Sequence, residues 1–193
     1  MNIEYYHYPF YHVIIKNIFS DSEYSLLQNE IDNIIDNTEY DNKSDTHHSL
    51  LKLSGTKSWH LDVIFKDNRS SSLLLNATGR FTTFPFKYSE FPFATLLEIT
   101  NLDESFLHLY ENDSYYFKHR DGSYLTFLFN LWKNSDFEGG EICFSDYNYT
   151  PELDKNSLIV FPGNVNHHVN PLKQLDDKPK RIVLNRRYFI RPT

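Results

Sequence analysis

Residues 124–132 have the sequence YLTFLFNLW, a short apolar and aromatic run of the kind that forms buried β-strands. Similar runs recur through the second half of the chain, at residues 106–110, 141–144, 157–161 and 182–190. Gly, Asp, Asn and Pro separate these runs, and such residues favour turns. Short strands punctuated in this way predict a compact all-β core, either a sandwich or a barrel.

The first half of the chain has a different pattern, which predicts helices and short strands. An alternating segment at residues 12–18 predicts an early strand. Ser20 and Glu23 form a capping-box pattern ahead of apolar residues spaced at the helical period, which predicts an amphipathic helix. Three more short elements are expected, a strand, a Phe- and Pro-rich turn and a helix, at residues 59–65, 85–92 and 94–99.

These patterns together predict one domain, residues 1–193. Within it, residues 1–100 would form helical support and entrance segments, and residues 101–193 the β core. The polar stretch 36–58 is expected to form a loop or lid, and with the aromatic segment 81–93 it would shape the entrance to a site in that core.

The composition is typical of a soluble globular protein, with 193 residues, 40% of them hydrophobic and 23% charged. The net charge of -7 argues against a large basic surface for nucleic acid, and the short basic cluster at residues 178–181 is typical of a solvated turn. No apolar run is long enough to span a bilayer, and residues 1–10 lack the apolar core of a signal peptide. The single cysteine, Cys143, allows no intrachain disulfide. We therefore expect a cytoplasmic protein with neither a nucleic-acid nor a membrane partner.

Three residues of the β half have the chemistry of metal ligands. Side chains two positions apart in a strand point to the same face, so His119 and Asp121 can converge on one point. His167, on a later predicted strand, could supply a third ligand. Two histidines and one carboxylate on one face of an octahedral metal form the facial triad of Fe(II) oxygen chemistry. His-x-Asp alone is a weak signal, because a surface turn with a salt-linked histidine has the same sequence.

Around these three residues, short motifs follow one another in a defined order. They are Leu109-Tyr110-Glu111-Asn112, His119-Arg120-Asp121, the hydrophobic strand Leu125 to Leu131, Glu138-Gly139-Gly140-Glu141-Ile142, Leu158-Ile159-Val160-Phe161-Pro162, His167-His168-Val169-Asn170-Pro171-Leu172 and Arg181-Ile182-Val183-Leu184-Asn185. The segment that carries them, from Leu107 to Ile190, resembles the catalytic core of the prolyl 4-hydroxylase-like group of Fe(II)/2-oxoglutarate oxygenases. The start of the chain, with Pro9-Phe10 and a helix after Ser20, resembles the same group.

The resemblance implies a mainly β fold with flanking helices, built on a double-stranded β-helix, or jelly-roll, core. It implies a dioxygenase that uses Fe(II), 2-oxoglutarate and dioxygen to hydroxylate an unactivated C–H bond, with ascorbate as a reductant. The metal ligands would be His119, Asp121 and His167. Because this chain keeps the carboxylate that related halogenases lack, hydroxylation is favoured over halogenation. The substrate would be a prolyl or other amino-acid residue of a peptide, or a small amino-acid-like metabolite.

The resemblance also assigns residues to the co-substrate. Arg181 would pair with the distal carboxylate of 2-oxoglutarate, since a guanidinium can form two parallel hydrogen bonds with a carboxylate. This places Arg181 in both the catalytic and the co-substrate set. Tyr110 would donate a hydrogen bond to the same co-substrate. Where the family often has Tyr-Leu-Asn, this chain has Asn130-Leu131-Trp132, so Asn130 could replace that tyrosine.

Two neighbouring histidines compete for the third ligand position. The family pattern places one residue between the histidine and a valine and another before a proline, and His167, Val169 and Pro171 fit it. His168 would then point to the opposite face of the strand. Two other functions stay open: a non-catalytic jelly-roll module that binds metal, and a zinc hydrolase with the same ligand types. The complete ligand set counts against the first, and the downstream arginine and the Gly-Gly-Glu turn fit the second poorly.

Overall fold

The computed structural model describes residues 1–40, 53–83, 92–132, 137–174 and 181–191. Twelve strands and four α-helices lie wholly in these ranges. The strands are Asn2–Tyr6 (β1), His12–Lys16 (β2), Lys57–His60 (β3), Leu102–Tyr110 (β4), Tyr116–His119 (β5), Leu125–Asn130 (β6), Phe137–Gly139 (β7), Ile142–Cys143 (β8), Ser157–Pro162 (β9), His167–Val169 (β10), Leu172–Gln174 (β11) and Arg181–Phe189 (β12). The helices are Asp21–Asn37 (α1), Leu61–Ile64 (α2), Leu73–Gly79 (α3) and Phe93–Ile99 (α4).

Two antiparallel sheets form the core of the fold. The major sheet has seven strands in the order β1-β2-β9-β6-β12-β4-β3, and the minor sheet has three, in the order β5-β10-β8. A further pair, β7 with β11, continues beside them. This order places β12, the last strand of the chain, between β4 and β6 in the middle of the major sheet. The side chains of β12 therefore meet residues from distant parts of the sequence.

The two faces of the major sheet bury different cores. Along β9, Leu158 and Val160 pack in the core under the helices, whereas Ile159 and Phe161 pack in the core between the sheets. This alternation is the two-residue period of a strand that is buried on both faces. The core between the sheets also contains Tyr116, Ile142 and Val169 of the minor sheet, among other residues. Two antiparallel sheets packed face to face are the architecture of a jelly roll, so the predicted mainly β fold is confirmed.

Helix α1 begins where the capping box predicted. The backbone N–H of Glu23 donates to the Ser20 hydroxyl (3.3 Å), and the N–H of Ser20 donates to the Glu23 carboxylate (3.1 Å). These bonds satisfy two of the donors left free at a helix start. The apolar face of α1, with Ile31 fully buried, packs against the major sheet as part of the core under the helices.

The structure differs from the prediction for the first half of the chain in two places. One predicted strand ends earlier than expected, and one helix was not predicted. The strand predicted at residues 59–65 is wrong beyond His60, where the chain turns into α2. There the Asp62 carboxylate accepts the backbone N–H of Ser105 (2.6 Å), a contact that a continuing strand would not make. Helix α3 was not predicted, although Ser72 caps it by accepting the N–H of Leu75 (3.1 Å).

Several predicted features fall partly or wholly on residues that the structure does not describe. Residues 41–52 of the polar stretch and residues 84–91 of the aromatic segment and turn lie outside the described ranges. The short helix predicted at 94–99 is confirmed as α4, one residue longer. Within the described ranges, no helix combines the length and apolar composition needed to cross a membrane.

Candidate metal centre

The three predicted ligands meet at one end of the cleft between the sheets. His119 is the last residue of β5 and His167 the first of β10, and these two residues lie directly opposite each other in the antiparallel pair. Their imidazole rings are 4.3 Å apart between centroids. Asp121 lies two residues after His119, held by the hydrogen bond from its backbone N–H to the Gly163 carbonyl (2.9 Å). One ligand atom from each of the three residues lies within 4.8 Å of the others.

Backbone hydrogen bonds fix the orientation of both imidazoles. Nδ1 of His119 lies 2.7 Å from the Phe117 carbonyl oxygen, and Nδ1 of His167 lies 2.9 Å from that of Val165. A carbonyl oxygen can only accept, so Nδ1 is the donor in each ring, and in a neutral ring this tautomer leaves the Nε2 lone pair free. The two Nε2 atoms face the Asp121 carboxylate, at 3.4 Å for His119 and 3.8 Å for His167. Such second hydrogen bonds are typical of histidines that bind metals.

Asp121 is a buried carboxylate with one oxygen free for a ligand. The Thr126 hydroxyl donates to Oδ2 (2.6 Å), and Nη2 of Arg187 lies 3.0 Å from Oδ1 without hydrogen-bond geometry. Oδ1 accepts no hydrogen bond from the described residues. Burial by itself would raise the pKa of this carboxyl, but the positive charge of Arg187 and the neighbouring histidines outweigh burial and hold the pKa far below its ordinary value. The group is therefore an anion at neutral pH.

His167 has the complementary protonation state. It is 3% exposed, and burial lowers its pKa to about 4. A neutral imidazole is the form that binds a metal ion. Two imidazole nitrogens and an unsatisfied carboxylate oxygen, all within a few ångströms, fit a divalent cation of the transition-metal type. Oδ1 of Asp121 has the Arg187 guanidinium as a charged neighbour but accepts no hydrogen bond from the described residues, and such a buried oxygen is costly in a protein interior.

The inner face of β12 connects this centre to Arg181. Arg181, Val183, Asn185 and Arg187 alternate along the strand and line one cavity with His119 and His167. The space beside the ligands is small, about 20 Å³, which is room for a single water molecule. A wider cavity of about 640 Å³ is also lined by Arg181. Arg181 thus borders both the candidate metal centre and the larger cavity.

The Arg181 guanidinium is buried between two aromatic rings. Its central carbon lies 4.9 Å from the centroid of Tyr110 and 5.7 Å from that of Trp132. The side chain is 3% exposed and forms no salt bridge with a described carboxylate, and its Nη1 has no hydrogen-bond partner there. The indole N–H of Trp132 and the side-chain oxygen of Asn130 are also buried without a partner. The unsatisfied Nη1 of this buried cation and the unsatisfied indole N–H beside it make a site for an anion, whereas the Asn130 oxygen can only accept.

The predicted co-substrate residues come together around this guanidinium. Tyr110 lies directly opposite Arg181 in the pairing of β4 with β12. Asn130 lines the wider cavity, and its side-chain N–H₂ donates to the Ser157 hydroxyl (3.0 Å). Sequence reasoning missed Trp132 as a donor and did not place Arg187 beside Asp121. The sequence did contain a signal for Arg187. It lies an even number of residues after Arg181 in the same predicted strand, so the two side chains point to the same face.

The second histidine of the pair points away from the centre. His168 bonds through Nδ1 to the Ser145 hydroxyl (2.7 Å) and through Nε2 to the Asn170 side-chain oxygen (3.1 Å). Both of its ring nitrogens are therefore engaged outside the cleft. This arrangement supports the assignment of His167 as the ligand.

We predict that His167→Ala loses metal affinity while His168→Ala retains it. The reason is that, of these two neighbouring histidines, His167 alone directs Nε2 at Asp121. Elemental analysis of the two purified variants, dialysed against Fe(II) under anaerobic conditions, measures the difference. Full metal content in His167→Ala with an empty His168→Ala would reverse the assignment.

Comparisons with known proteins bear on the fold. No family model matches the chain, and no curated protein matches it in sequence. Solved structures do match it. A Pseudomonas putida prolyl-4-hydroxylase superposes with a TM-score of 0.68 at 15% identity, over 94% of this chain and 93% of that one. A prolyl hydroxylase from Trichoplax adhaerens, in complex with a hypoxia inducible factor peptide fragment, gives 0.65 at 15% identity, over 92% and 83%.

A third structure is a viral collagen prolyl hydroxylase from Paramecium Bursaria Chlorella virus-1 in a 2OG complex. Its TM-score is 0.61 at 14% identity, over 92% of this chain and 94% of that one. These matches extend over nearly the whole chain, so the shared architecture includes the helices as well as the sheets. The chain therefore has the fold of the prolyl 4-hydroxylases, with a His-Asp-His group that can hold a metal ion.

Proposed function

We propose that this protein is an Fe(II)- and 2-oxoglutarate-dependent dioxygenase that hydroxylates an unactivated C–H bond. The observation that carries the proposal is the pairing of two features across one cleft. A His-Asp-His group lies at one end, and a buried arginine without a carboxylate partner among the described residues lies further along the same strand face. A dicarboxylate that binds a metal through one end and an arginine through the other matches this pairing.

In this proposal, His119, Asp121 and His167 hold the metal on one face. When bound, Fe(II) supplies the redox chemistry that activates dioxygen and couples decarboxylation of 2-oxoglutarate to hydroxylation. The protein orients the reactants and excludes water. Leu128, Ile142 and Val169 supply apolar surface on the cavity wall. The cavity beside the ligands is too small for a dicarboxylate as it stands, so co-substrate binding requires side chains such as Arg181 to shift.

Arg181 and its neighbours would hold the distal carboxylate. Burial raises the pKa of Tyr110 to about 12, although the nearby positive charge of Arg181 acts in the opposite direction. The hydroxyl therefore keeps its proton and can donate. Trp132 offers a second neutral donor next to the guanidinium. Asn130 has only its oxygen free, because its N–H₂ is bonded to Ser157, so it would serve the carboxylate only if that amide turned over.

We predict that Trp132→Phe weakens 2-oxoglutarate binding by about fivefold to tenfold. A phenyl ring retains the aromatic face that supports Arg181 but removes the indole N–H, and one hydrogen bond is worth about 1 kcal/mol, or more when its partner is charged. Calorimetric titration of 2-oxoglutarate into the Mn(II)-loaded variant measures the change. Trp59→Phe serves as the control. Trp59 is a buried tryptophan of the core under the helices, and its N–H donates to the Thr38 carbonyl. Equal losses in both variants would assign the effect to general destabilisation.

Succinate release tests the proposed function directly. Purified protein supplied with Fe(II), ascorbate and 2-oxoglutarate should form succinate slowly, because co-substrate turnover proceeds even without a hydroxylated product. Zn(II) in place of Fe(II) should give none. Metal binding without any succinate would favour the non-catalytic jelly-roll module, and hydrolytic activity with Zn(II) would favour the hydrolase.

Two classes of substrate are candidates. Of the structures named above, one is a collagen prolyl hydroxylase and another is a prolyl hydroxylase in complex with a peptide fragment, which makes a prolyl or other amino-acid residue one candidate. A small amino-acid-like metabolite is the other. A cytoplasmic location, and the absence of nucleic-acid and membrane partners, are parts of the same proposal and stay predictions.

A further inference from the structure

Arg187 is a second buried cation in the cleft, next to the candidate metal ligands. Its Nη2 lies 3.0 Å from Oδ1 of Asp121, and its guanidinium packs 5.1 Å from the centroid of the Phe106 ring. The residue is 8% exposed, and its Nε has no hydrogen-bond partner among the described residues. It lines the same cavity as the ligand imidazoles. An unsatisfied donor of a cation therefore borders the space where chemistry would occur.

The groups that surround Arg187 leave its charge only partly compensated. Strand register places Glu104 and Thr126 directly opposite it, on the same face of the sheet. Glu104 is half-buried at the rim and forms no salt bridge with Arg187 in the part of the chain that the structure describes. Asp121 is therefore its one carboxylate partner there, and that carboxylate also serves the metal.

A charge count shows what the loaded site would lack. This count rests on the proposed function. Asp121 contributes one negative charge, whereas Arg181 and Arg187 contribute one positive charge each. The two charges of Fe(II) and the two of 2-oxoglutarate cancel each other. With Asp121 engaged by the metal, Arg187 would then be a buried cation without a carboxylate of its own among these groups, which is unfavourable unless an anionic group binds beside it.

Asn185 indicates a second chemical group that a ligand bound here would carry. It is the next inward-facing residue of β12, two positions before Arg187, and it is 4% exposed. Its side-chain oxygen is buried without a hydrogen-bond partner and can only accept. A free acceptor and a free cationic donor thus lie side by side along the cavity wall. An amino group and a carboxylate on one small molecule would satisfy both.

We infer that the primary substrate is a free α-amino acid or a close analogue, whose carboxylate binds Arg187 and whose N–H group donates to Asn185. An internal residue of a peptide carries a neutral amide in place of that carboxylate and would leave the Arg187 charge unbalanced. Because Arg187 contacts a metal ligand, the bound carboxylate lies near the metal. The carbon that reacts is then only a few bonds from the carboxylate, which fits a compact substrate.

Paired probes test this inference without requiring turnover. The protein is first loaded with Mn(II) and 2-oxoglutarate, and calorimetry records both binding steps. The standard L-amino acids are then titrated one by one, each alongside its own carboxamide, which differs by the loss of the negative charge. At least one acid should bind at least about tenfold more tightly than its amide, as expected for a charge-assisted hydrogen bond. Equal binding of every pair, or no binding of any acid, would overturn the inference.

Three variants locate the effect. Arg187→Gln should abolish the preference for the acid, and Arg187→Lys should restore part of it, because lysine keeps the charge but not the planar fork. Arg120→Gln removes the same charge from an exposed side chain that bonds to Asn166, and it should keep the wild-type preference. If Arg187→Gln weakened only 2-oxoglutarate binding and left the preference intact, Arg187 would belong to the co-substrate site. Failure of the proposed function would show earlier, as an absent 2-oxoglutarate step in the wild-type protein.

Discussion

Asp121→Asn and Asp121→Ala are expected to abolish Fe(II)-dependent succinate formation while the sheets remain folded. Asparagine has nearly the shape of aspartate but lacks the negative charge that a divalent cation requires. Loss of a residue that only supports a metal ligand typically costs about 10-fold to 100-fold in affinity, so loss of a ligand should cost at least that much. Metal content after dialysis, together with anaerobic titration of Fe(II) and 2-oxoglutarate followed by its weak visible absorption band, measures the effect.

Asp146→Asn provides the matched control for this experiment. Asp146 is exposed and bonds to Lys118 and Asn166 outside the cleft. The same chemical change there should leave metal content and turnover at wild-type levels. Wild-type metal binding and turnover in both Asp121 variants would show that the centre lies elsewhere.

Arg181→Ala is expected to raise the KM for 2-oxoglutarate by about 10-fold to 100-fold. The co-substrate carboxylate would lose a charge-assisted pair worth about 1.5–3 kcal/mol. Arg181→Lys should recover only part of the loss, since an ammonium cannot form two parallel hydrogen bonds or stack flat between Tyr110 and Trp132. Initial rates of succinate formation over a range of co-substrate concentrations give the KM of each variant.

Two checks separate the role of Arg181 from a loss of packing. Thermal unfolding of Arg181→Ala reports whether the cavity left between the aromatic rings destabilises the fold. Arg120→Ala, which removes an exposed arginine near the ligands, should leave the KM unchanged. An unaltered KM in Arg181→Ala would place the anchor at another cation, with Lys180 and Arg187 as the next candidates.

Local patterns in the sequence were enough to predict much of this fold. The apolar run of β9 and the capping box at Ser20 are patterns of neighbours along the chain, so they are visible without any knowledge of tertiary contacts. Helix α3 was missed because it is short and its apolar residues, Leu74 and Leu75, are consecutive, so they show no helical period. The predicted strand beyond His60 failed for a different reason. A contact with distant Ser105 favours the turn into α2, and sequence periodicity carries no information on such contacts.

The candidate site, like the fold, could be predicted from the sequence only in part. Motif order brought His119, Asp121, His167 and Arg181 to attention, and the structure brings the first three together. The adjacent arginines 186 and 187 show what the sequence could not supply. Both lie in an apolar run, yet Arg186 faces the helices and pairs with Asp103, whereas Arg187 faces the cleft and Asp121. Strand parity predicts that they point to opposite faces, but only the register of the sheet determines which carboxylate each one meets.

The minor sheet has a consequence for folding. Its strands β5, β10 and β8 have only four, three and two residues, and such short strands give few hydrogen bonds to hold the layer together. The residues that pair where β5 ends and β10 begins, His119 and His167, are the same ones that would share a metal ion. A bound ion would act as a cross-strand clamp, and binding to the folded state alone raises the free energy of unfolding. Backbone amides of β5 and β10 should therefore exchange with deuterium more slowly in the metal-loaded protein, while those of β6 and β12 in the major sheet change little.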